Sequence, residues 1–136
     1  MRQITKAWFD RALDDLNAIE LLLQEPHLTN IASFHAQQAV EKSLKAVIEE
    51  FEIGLVKTHN LSHLYQLVKP HYDIIDDIDT LEQLDTIYIE SRYPNEIGLL
   101  PHGKPSSDEA VHFYNFAKVV YETLKAELEA TRRTNS

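Results

Sequence analysis

The spacing of apolar and polar residues predicts a chain built from α-helices. In the first segment, apolar side chains recur every three or four residues, as on one face of a helix, and Asp10, Asp14 and Glu20 lie mainly on the other side. The apolar stripe consists of Ile4, Trp8, Ala12, Leu16, Ile19 and Leu23. Pro26 ends this helix near Glu25, because a proline ring is incompatible with a continuing helix.

A second long helix follows, and Thr29 or Asn30 is its predicted cap. Its apolar positions are Phe34, Val40, Leu44, Val47, Ile48 and Phe51. Gly54 marks its end, since glycine is common just after a helix, and the two long helices are expected to form an antiparallel hairpin. Another face of this helix carries His35, Gln38, Lys42, Lys45 and Glu49. Charges in such a pattern predict a solvated face, with contact to a partner as the alternative.

Two shorter helices come next. Thr58 or Asn60 caps the third, which Pro70 ends, and its apolar residues are Leu61, Leu64, Leu67 and Val68. The fourth is predicted from about Asp79 to Arg92, with Leu81, Leu84, Ile87 and Tyr88 facing inward. Tyr93-Pro94 ends it, because the residue before a proline is pushed away from helical angles.

The segment 93–106 contains most of the Gly and Pro of the chain and is predicted to be a loop. Ser106 and Glu109 then have the spacing of a capping box, in which each side chain bonds the other's backbone N–H. The last helix is expected to bury Phe113, Ala117, Val120, Tyr121, Leu124 and Leu128. The polar tail 131–136 is expected to be frayed.

These elements predict one all-α domain over residues 1–136, an antiparallel bundle of about five helices with its core over about 4–128. Its 136 residues, 43% apolar and 26% charged, suit a single compact domain. The absence of cysteine excludes disulfides, thiolate zinc sites, iron–sulfur clusters and cysteine nucleophiles. No apolar run reaches the roughly 18 residues of a membrane span, and Met1 to Ala7 lack a secretory apolar stretch. A cytoplasmic protein with no membrane contact is expected.

The formal charge of −9 argues against broad binding of nucleic acid. A local basic pocket remains compatible with a nucleotide or one RNA strand, because charges beyond about 8 Å are largely screened at physiological salt. If Lys57, Arg92 and Lys104 converge across a two-fold axis, a positive cleft results.

Two polar residues interrupt the apolar row of the second helix. At about 100° per residue, Gln37 and Glu41 fall in line with Phe34, Leu44 and Ile48. An unpaired charge in the interior costs several kcal/mol, so a buried Glu41 needs a partner. Glu41 with Gln37 therefore either positions a cation at a functional site, or lies at a groove edge or in an internal ion pair.

The fourth helix ends with Tyr88 and Arg92, which are four residues apart and share one side. Arginine offers a planar fork of donors, and tyrosine can stack on a base or donate its hydroxyl, so the pair suits a phosphate or an RNA backbone. The alternative is structural: Arg92 pairs with Glu41 or a C-terminal carbonyl, and Tyr88 belongs to the core.

Metal binding has little support in this sequence. His59 and His63 have the i, i+4 spacing of a helical ligand pair, but a zinc site needs two further ligands and no His-Glu-x-x-His motif occurs. The acidic set Asp73, Asp76, Asp77 and Asp79 lacks the glycine and distal glutamate of a calcium loop. Neither a metal nor a cofactor is expected.

Three segments carry a resemblance to a known family. Residues 34–46 read FHAQQAVEKSLKA, residues 57–61 read KTHNL, and residues 88–94 read YIESRYP. In this order, over about residues 4–128, they resemble the HEPN domain family. The resemblance implies a helical bundle that forms homodimers, and a prokaryotic stand-alone protein that acts with a small nucleotidyltransferase in a two-component, toxin–antitoxin type of system.

The resemblance also implies site residues. Many HEPN proteins are metal-independent ribonucleases in which a histidine follows the conserved arginine by four to six positions; the histidine handles protons while the arginine steadies the phosphate charge. Arg92 is the counterpart of that arginine, whereas the next histidine, His102, lies ten positions on. His112-Phe113-Tyr114 resembles the His-x-Tyr sequence of some toxin members, but His112 projects away from the apolar stripe of its helix.

The leading hypothesis is therefore a binding module that contacts a nucleotide or RNA through Tyr88, Arg92 and Tyr93, with Lys57 and Lys104 adding positive charge. One alternative is a ribonuclease whose catalytic residues are Arg92 and His102. The other is a structural oligomerisation module without a ligand.

Overall fold

Helices account for nearly all of the regular structure in a computed structural model that describes residues 1–92 and 103–135, with side chains through Thr131. The helices are α1 (Gln3–Leu22), α2 (Thr29–Glu50), α3 (Leu61–Val68), α4 (Ile78–Arg92) and α5 (Ser107–Asn135), with a 3-10 turn at Pro26–Leu28. Within those ranges there is no β-strand, so the predicted all-α bundle is confirmed. None of the described helices has both the length and the apolar character that crossing a bilayer demands.

The two long N-terminal helices form the predicted antiparallel hairpin. Thr5 donates to Glu50 Oε1 over 2.9 Å at one end of the pair, and Asp15 lies beside His35 and Lys42 further along. Asp15 is buried, and its two oxygens lie 2.9 Å from His35 Nδ1 and 2.7 Å from Lys42 Nζ. The face of α2 predicted to be solvated is therefore half-buried, and Asp15 of α1 is the partner of His35 and Lys42 on it.

The middle of the bundle is occupied by α2, which packs against each of the other described helices. Small residues make this close approach feasible, and Ala32, Ala36, Ala39 and Ala46 are all buried. Ser33 and Ser43 are buried as well, and each hydroxyl donates to the carbonyl oxygen four residues earlier, so neither polar group is left unsatisfied. Side chains of α2 that would be exposed on an outer helix thus lie in the interior.

The connection between α3 and α4 is fixed by side-chain hydrogen bonds. The phenol of Tyr65 donates to Asp73 over 3.0 Å and accepts from the backbone N–H of Ile75 over 3.0 Å. At the start of α4, Asp77 accepts from the backbone N–H and from the hydroxyl of Thr80, which is the pattern of an N-cap. Asp77, predicted as one member of a solvated acidic run, therefore has a structural role.

The last helix begins as its sequence predicts. Ser106 Oγ accepts from the Glu109 N–H over 3.1 Å, and Glu109 Oε1 accepts from the Ser106 N–H over 2.9 Å, so the capping box is present. Tyr114 then donates to Glu20 of α1 over 2.6 Å. Burial, together with this hydrogen bond, raises the pKa of Tyr114 to about 12. The helix continues through Asn135, beyond the predicted fraying point at Ala130.

Three further details differ from the sequence-based expectations. Ile4 is 44% exposed, and Thr5 and Phe9 occupy the buried face there instead. The residue before α2 is Leu28, and it makes no side-chain cap; Thr29 Oγ1 instead donates to the carbonyl of Pro105, which ties α2 to the segment before α5. Helix α2 ends at Glu50, before the glycine predicted to mark its end, Gly54. The backbone leaves the helical conformation at Glu52, whose φ is 50°.

Candidate functional site

A buried carboxylate lies at the centre of the candidate site. Glu41 is 4% exposed, and it accepts hydrogen bonds from Gln37 Nε2 over 3.1 Å and from Lys45 Nζ over 3.0 Å. Its oxygens also lie 3.1 Å from Nδ1 of His59. Glu41 is therefore paired internally, as one of the two readings of the sequence had it, and it also holds the half-exposed ring of His59; whether it serves a functional site stays a prediction.

His59 is the residue that sequence reasoning did not assign to the site. It lies just before α3, and its backbone carbonyl accepts from Gln37 Nε2 over 3.2 Å. Its ring stacks on Tyr88 with centroids 4.9 Å apart. The motif KTHNL drew attention to this histidine, but only as a metal ligand or a motif residue, because its contact with Glu41 joins positions 18 residues apart.

Tyr88 and Arg92 lie next to this network. Tyr88 packs nearly parallel to Phe34, at a centroid distance of 6.3 Å, as well as to His59. Arg92 Nη1 donates to the Tyr88 hydroxyl over 3.3 Å, and its guanidinium carbon lies 5.9 Å from the Tyr88 ring centre. Arg92 is exposed, and no carboxylate pairs with it in the described part of the chain.

One branch of the structural alternative for Arg92, an ion pair with Glu41, is not observed, because Glu41 bonds Gln37, Lys45 and His59 instead. The other branch, a hydrogen bond from Arg92 to a C-terminal carbonyl, stays a prediction. Tyr88 is half-buried and is covered in part by the rings of Phe34 and His59. Arg92 meets both the hydroxyl and the ring of Tyr88.

Of the four other predicted site residues, two are described by the structure and two are not. Lys57 is exposed, two positions before His59. Lys104 donates to the backbone carbonyl of His27, near the start of α2. Tyr93 and His102 lie outside the described residues. The convergence of Lys57, Arg92 and Lys104 requires a second subunit and stays a prediction.

Among the described histidines, His112 lies far from Arg92. His63 is exposed on α3, while His112 Nε2 lies 2.8 Å from the hydroxyl of Thr80. Thr80 and Arg92 are twelve residues apart on α4, which corresponds to about 18 Å along the helix axis. Among the described residues, no three His, Asp or Glu side chains are grouped as ligands of one metal ion.

The chemistry of this arrangement is that of an anion site with an adjacent imidazole. The guanidinium of Arg92 offers a charged fork of donors, and the Tyr88 hydroxyl, which accepts from Arg92, retains a proton that it can donate. His59 presents the ring nitrogen that Glu41 does not occupy. Tyr88 links the other two, because its ring stacks on His59 and its hydroxyl accepts from Arg92.

Two comparisons with known proteins give matches. A family model described as the HEPN domain matches residues 5–128. Among solved structures, the crystal structure of ST0689, an archaeal HEPN homologue, superposes with a TM-score of 0.70 and 26% sequence identity, covering 93% of this chain and 98% of that chain. No curated protein sequence matches the chain significantly.

Proposed function

The chain belongs to the HEPN domain family, as its three motifs predicted, and we propose that it is a binding module that contacts a nucleotide or RNA and acts with a nucleotidyltransferase partner. In this proposal, Arg92 and Tyr88 hold a phosphate group. Tyr93, Lys57 and Lys104 contribute further contacts around them, and Gln37 and Glu41 keep the neighbouring polar groups in position.

The observation that supports this proposal best is the state of the Arg92 side chain. Its guanidinium is exposed at the last residue of α4 and is held by the Tyr88 hydroxyl. The chain carries 22 acidic residues against 13 basic ones, yet no described carboxylate pairs with Arg92. An arginine that is oriented by a neutral hydroxyl keeps its charge and most of its donors for an external anion.

Isothermal titration tests the proposed binding. Ribonucleoside phosphates and short single-stranded RNA are titrated into the wild-type chain, the Arg92→Ala variant and the Arg11→Ala control, since Arg11 is exposed on α1 and makes no described side-chain contact. Charged hydrogen bonds contribute about 1.5–3 kcal/mol, so Arg92→Ala should weaken binding by roughly 10- to 100-fold. Arg11→Ala should bind as the wild type does.

Two results would contradict the binding proposal. One is the absence of heat with every nucleotide and RNA. The other is equal affinity in wild type and Arg92→Ala; if that variant also had a lower melting temperature, the structural oligomerisation module would be favoured instead.

A further titration tests the proposed nucleotidyltransferase partner. The product of a neighbouring nucleotidyltransferase gene, where the genome contains one, is added to the purified chain, and complex formation is expected. Light scattering of the chain alone is expected to give the mass of a homodimer rather than that of the 15.7 kDa monomer. A monomer at micromolar concentration would contradict the expected two-fold assembly.

A further inference from the structure

We propose that His59 makes this site selective for ribose, because its Nε2 accepts a hydrogen bond from the 2′-hydroxyl of the nucleotide whose phosphate Arg92 holds. This inference rests on the proposed function and narrows its ligand class to ribonucleotides, free or within RNA. His59 is a specificity residue in this account, and Glu41 is the residue that positions it.

The position of the His59 ring is fixed from several sides. Both oxygens of Glu41 lie 3.1 Å from Nδ1, and Glu41 is itself held by Gln37 and Lys45. Gln37 also donates to the backbone carbonyl of His59, and the ring stacks on Tyr88. A ring held in this way presents its outer nitrogen in one direction, as a group that recognises a ligand must.

Glu41 also determines which nitrogen of the neutral ring carries the proton. A carboxylate only accepts hydrogen bonds, so a neutral His59 places its proton on Nδ1 and leaves Nε2 as an acceptor. The His59 side chain is 48% exposed, and Nε2 has no hydrogen-bond partner among the described residues. The site therefore combines an exposed acceptor with the donors of Arg92 and Tyr88.

This combination fits a phosphate next to a hydroxyl. Phosphate oxygens accept hydrogen bonds and match Arg92 and Tyr88, whereas the neutral Nε2 of His59 needs a donor. His59 and Arg92 both contact Tyr88, since the His59 ring centre lies 4.9 Å and the Arg92 guanidinium carbon 5.9 Å from the centre of the Tyr88 ring. A ribose hydroxyl is the donor there, and the 2′-hydroxyl is the group that distinguishes RNA from DNA.

The test compares ribonucleotides with their deoxy analogues. AMP with 2′-deoxy-AMP, and UMP with 2′-deoxy-UMP, are titrated at about pH 8, where an imidazole in water is neutral; short oligo-rU and oligo-dU provide the strand form of the same ligand. A neutral hydrogen bond contributes about 0.5–1.5 kcal/mol, so wild type should prefer each ribo form by roughly 2- to 10-fold. A preference in the strands alone would assign the site to RNA rather than to free nucleotides.

Two aromatic variants isolate the acceptor. His59→Phe keeps a ring against Tyr88 and removes Nε2, and His63→Phe is the matched control, an exposed histidine four residues further along. His59→Phe should abolish the ribose preference while the affinity for the deoxy forms stays unchanged. His63→Phe should retain the preference, and Arg92→Ala should weaken both forms equally.

The tautomer gives a readout that does not depend on ligand. In a ¹⁵N spectrum of the ring nitrogens at the same pH, the proton of His59 is expected on Nδ1, and Glu41→Gln should shift it toward Nε2 with loss of the ribose preference. This second variant decides the question if His59→Phe fails to fold.

The outcomes separate this inference from the binding proposal. If wild type binds both sugar forms equally, or if His59→Phe weakens both by the same factor, the ribose role is wrong while nucleotide binding stands. Tighter binding of AMP and 2′-deoxy-AMP alike than of the two uracil nucleotides, with no difference between sugars, would assign the contact to the base amino group and would also overturn it. If no nucleotide or strand binds, both proposals fall.

Discussion

At the residue scale, three aspartate side chains each bind several neighbouring hydrogen-bond donors. Asp15, Asp77 and Asp85 each lie within hydrogen-bond distance of more than one donor group. Asp77 is the clearest case with a titration consequence, because the hydroxyl and the backbone N–H of Thr80 bond its charged form and lower its pKa, with a smaller contribution from His112. Its charge therefore stabilises the start of α4.

The lowered pKa of Asp77 predicts a pH-dependent stability. A carboxylate with a depressed pKa in the folded state stabilises the protein above its unfolded pKa of about 3.9, and this contribution is lost as the pH falls through the lower folded value. Asp77→Ala should cost about 1 kcal/mol of unfolding free energy near neutral pH, as the loss of a cap does. The difference from wild type should shrink below about pH 4.

Urea unfolding between neutral and acidic pH measures this effect. Asp76→Ala is the control, because the neighbouring Asp76 side chain is exposed and makes no described contact. A constant difference between Asp77→Ala and wild type across the whole pH range would contradict the proposed role of the charge.

Sequence reasoning at this scale identified groups but not their partners. Glu41 stood out because it interrupts an apolar row, and Arg92 because it shares one side of the fourth helix with Tyr88 and lies in a family motif. His59 was noticed only as a possible metal ligand and as a motif residue, and not as the partner of Glu41, since helical periodicity reports which face a residue occupies and not which distant residue meets it. Asp15 was missed for the same reason: its partners His35 and Lys42 lie on another helix.

At the scale of the elements, the junction of α3 with α4 positions the candidate site. The backbone N–H of Leu61 donates to Asp85 over 2.6 Å, and the hydroxyl of Ser62 donates to it over 3.0 Å. Asp85 therefore caps the start of α3 from α4, and Asn60 completes the cap through the N–H of His63. Because His59 precedes this start and Tyr88 follows Asp85, the same junction sets the stacking of the two rings.

Removing Asp85 should affect both stability and the site. Asp85→Ala leaves partly buried donors at the start of α3 unsatisfied, which costs about 1–3 kcal/mol of unfolding free energy. Glu82→Ala, an exposed position on the same helix without a described side-chain contact, should stay within about 0.5 kcal/mol of wild type. Chemical denaturation measures both, and equal stability of the two variants would show that Asp85 does not join the helices.

The helices themselves were largely predictable, and their ends less so. Asn60 and the pair Ser106–Glu109 cap helices as expected, because their spacing is local. Thr29 was expected to cap α2, but its hydroxyl meets the Pro105 carbonyl of a remote segment. Local rules cannot anticipate a tertiary hydrogen bond that competes with a cap.

At the scale of the whole molecule, charge and site location must be considered together. A net charge of −9 disfavours non-specific attraction of RNA, so a ligand phosphate has to be captured by a local group. Arg92, beside Tyr88 and His59, is the group proposed for this role. The bundle class was predictable from periodicity and from the HEPN motifs, whereas this arrangement depends on how α2, α4 and the start of α3 pack together.

The central claim is that the ligand surface surrounds Arg92, and a ¹H–¹⁵N NMR titration with a ribonucleotide tests it most directly. The expected shifts cluster on Arg92, Tyr88, His59 and Gln37, and the signals of Thr80 and His112, at the other end of α4, stay in place. Shifts confined to the Thr80–His112 end, or no shifts at saturating nucleotide, would contradict the claim.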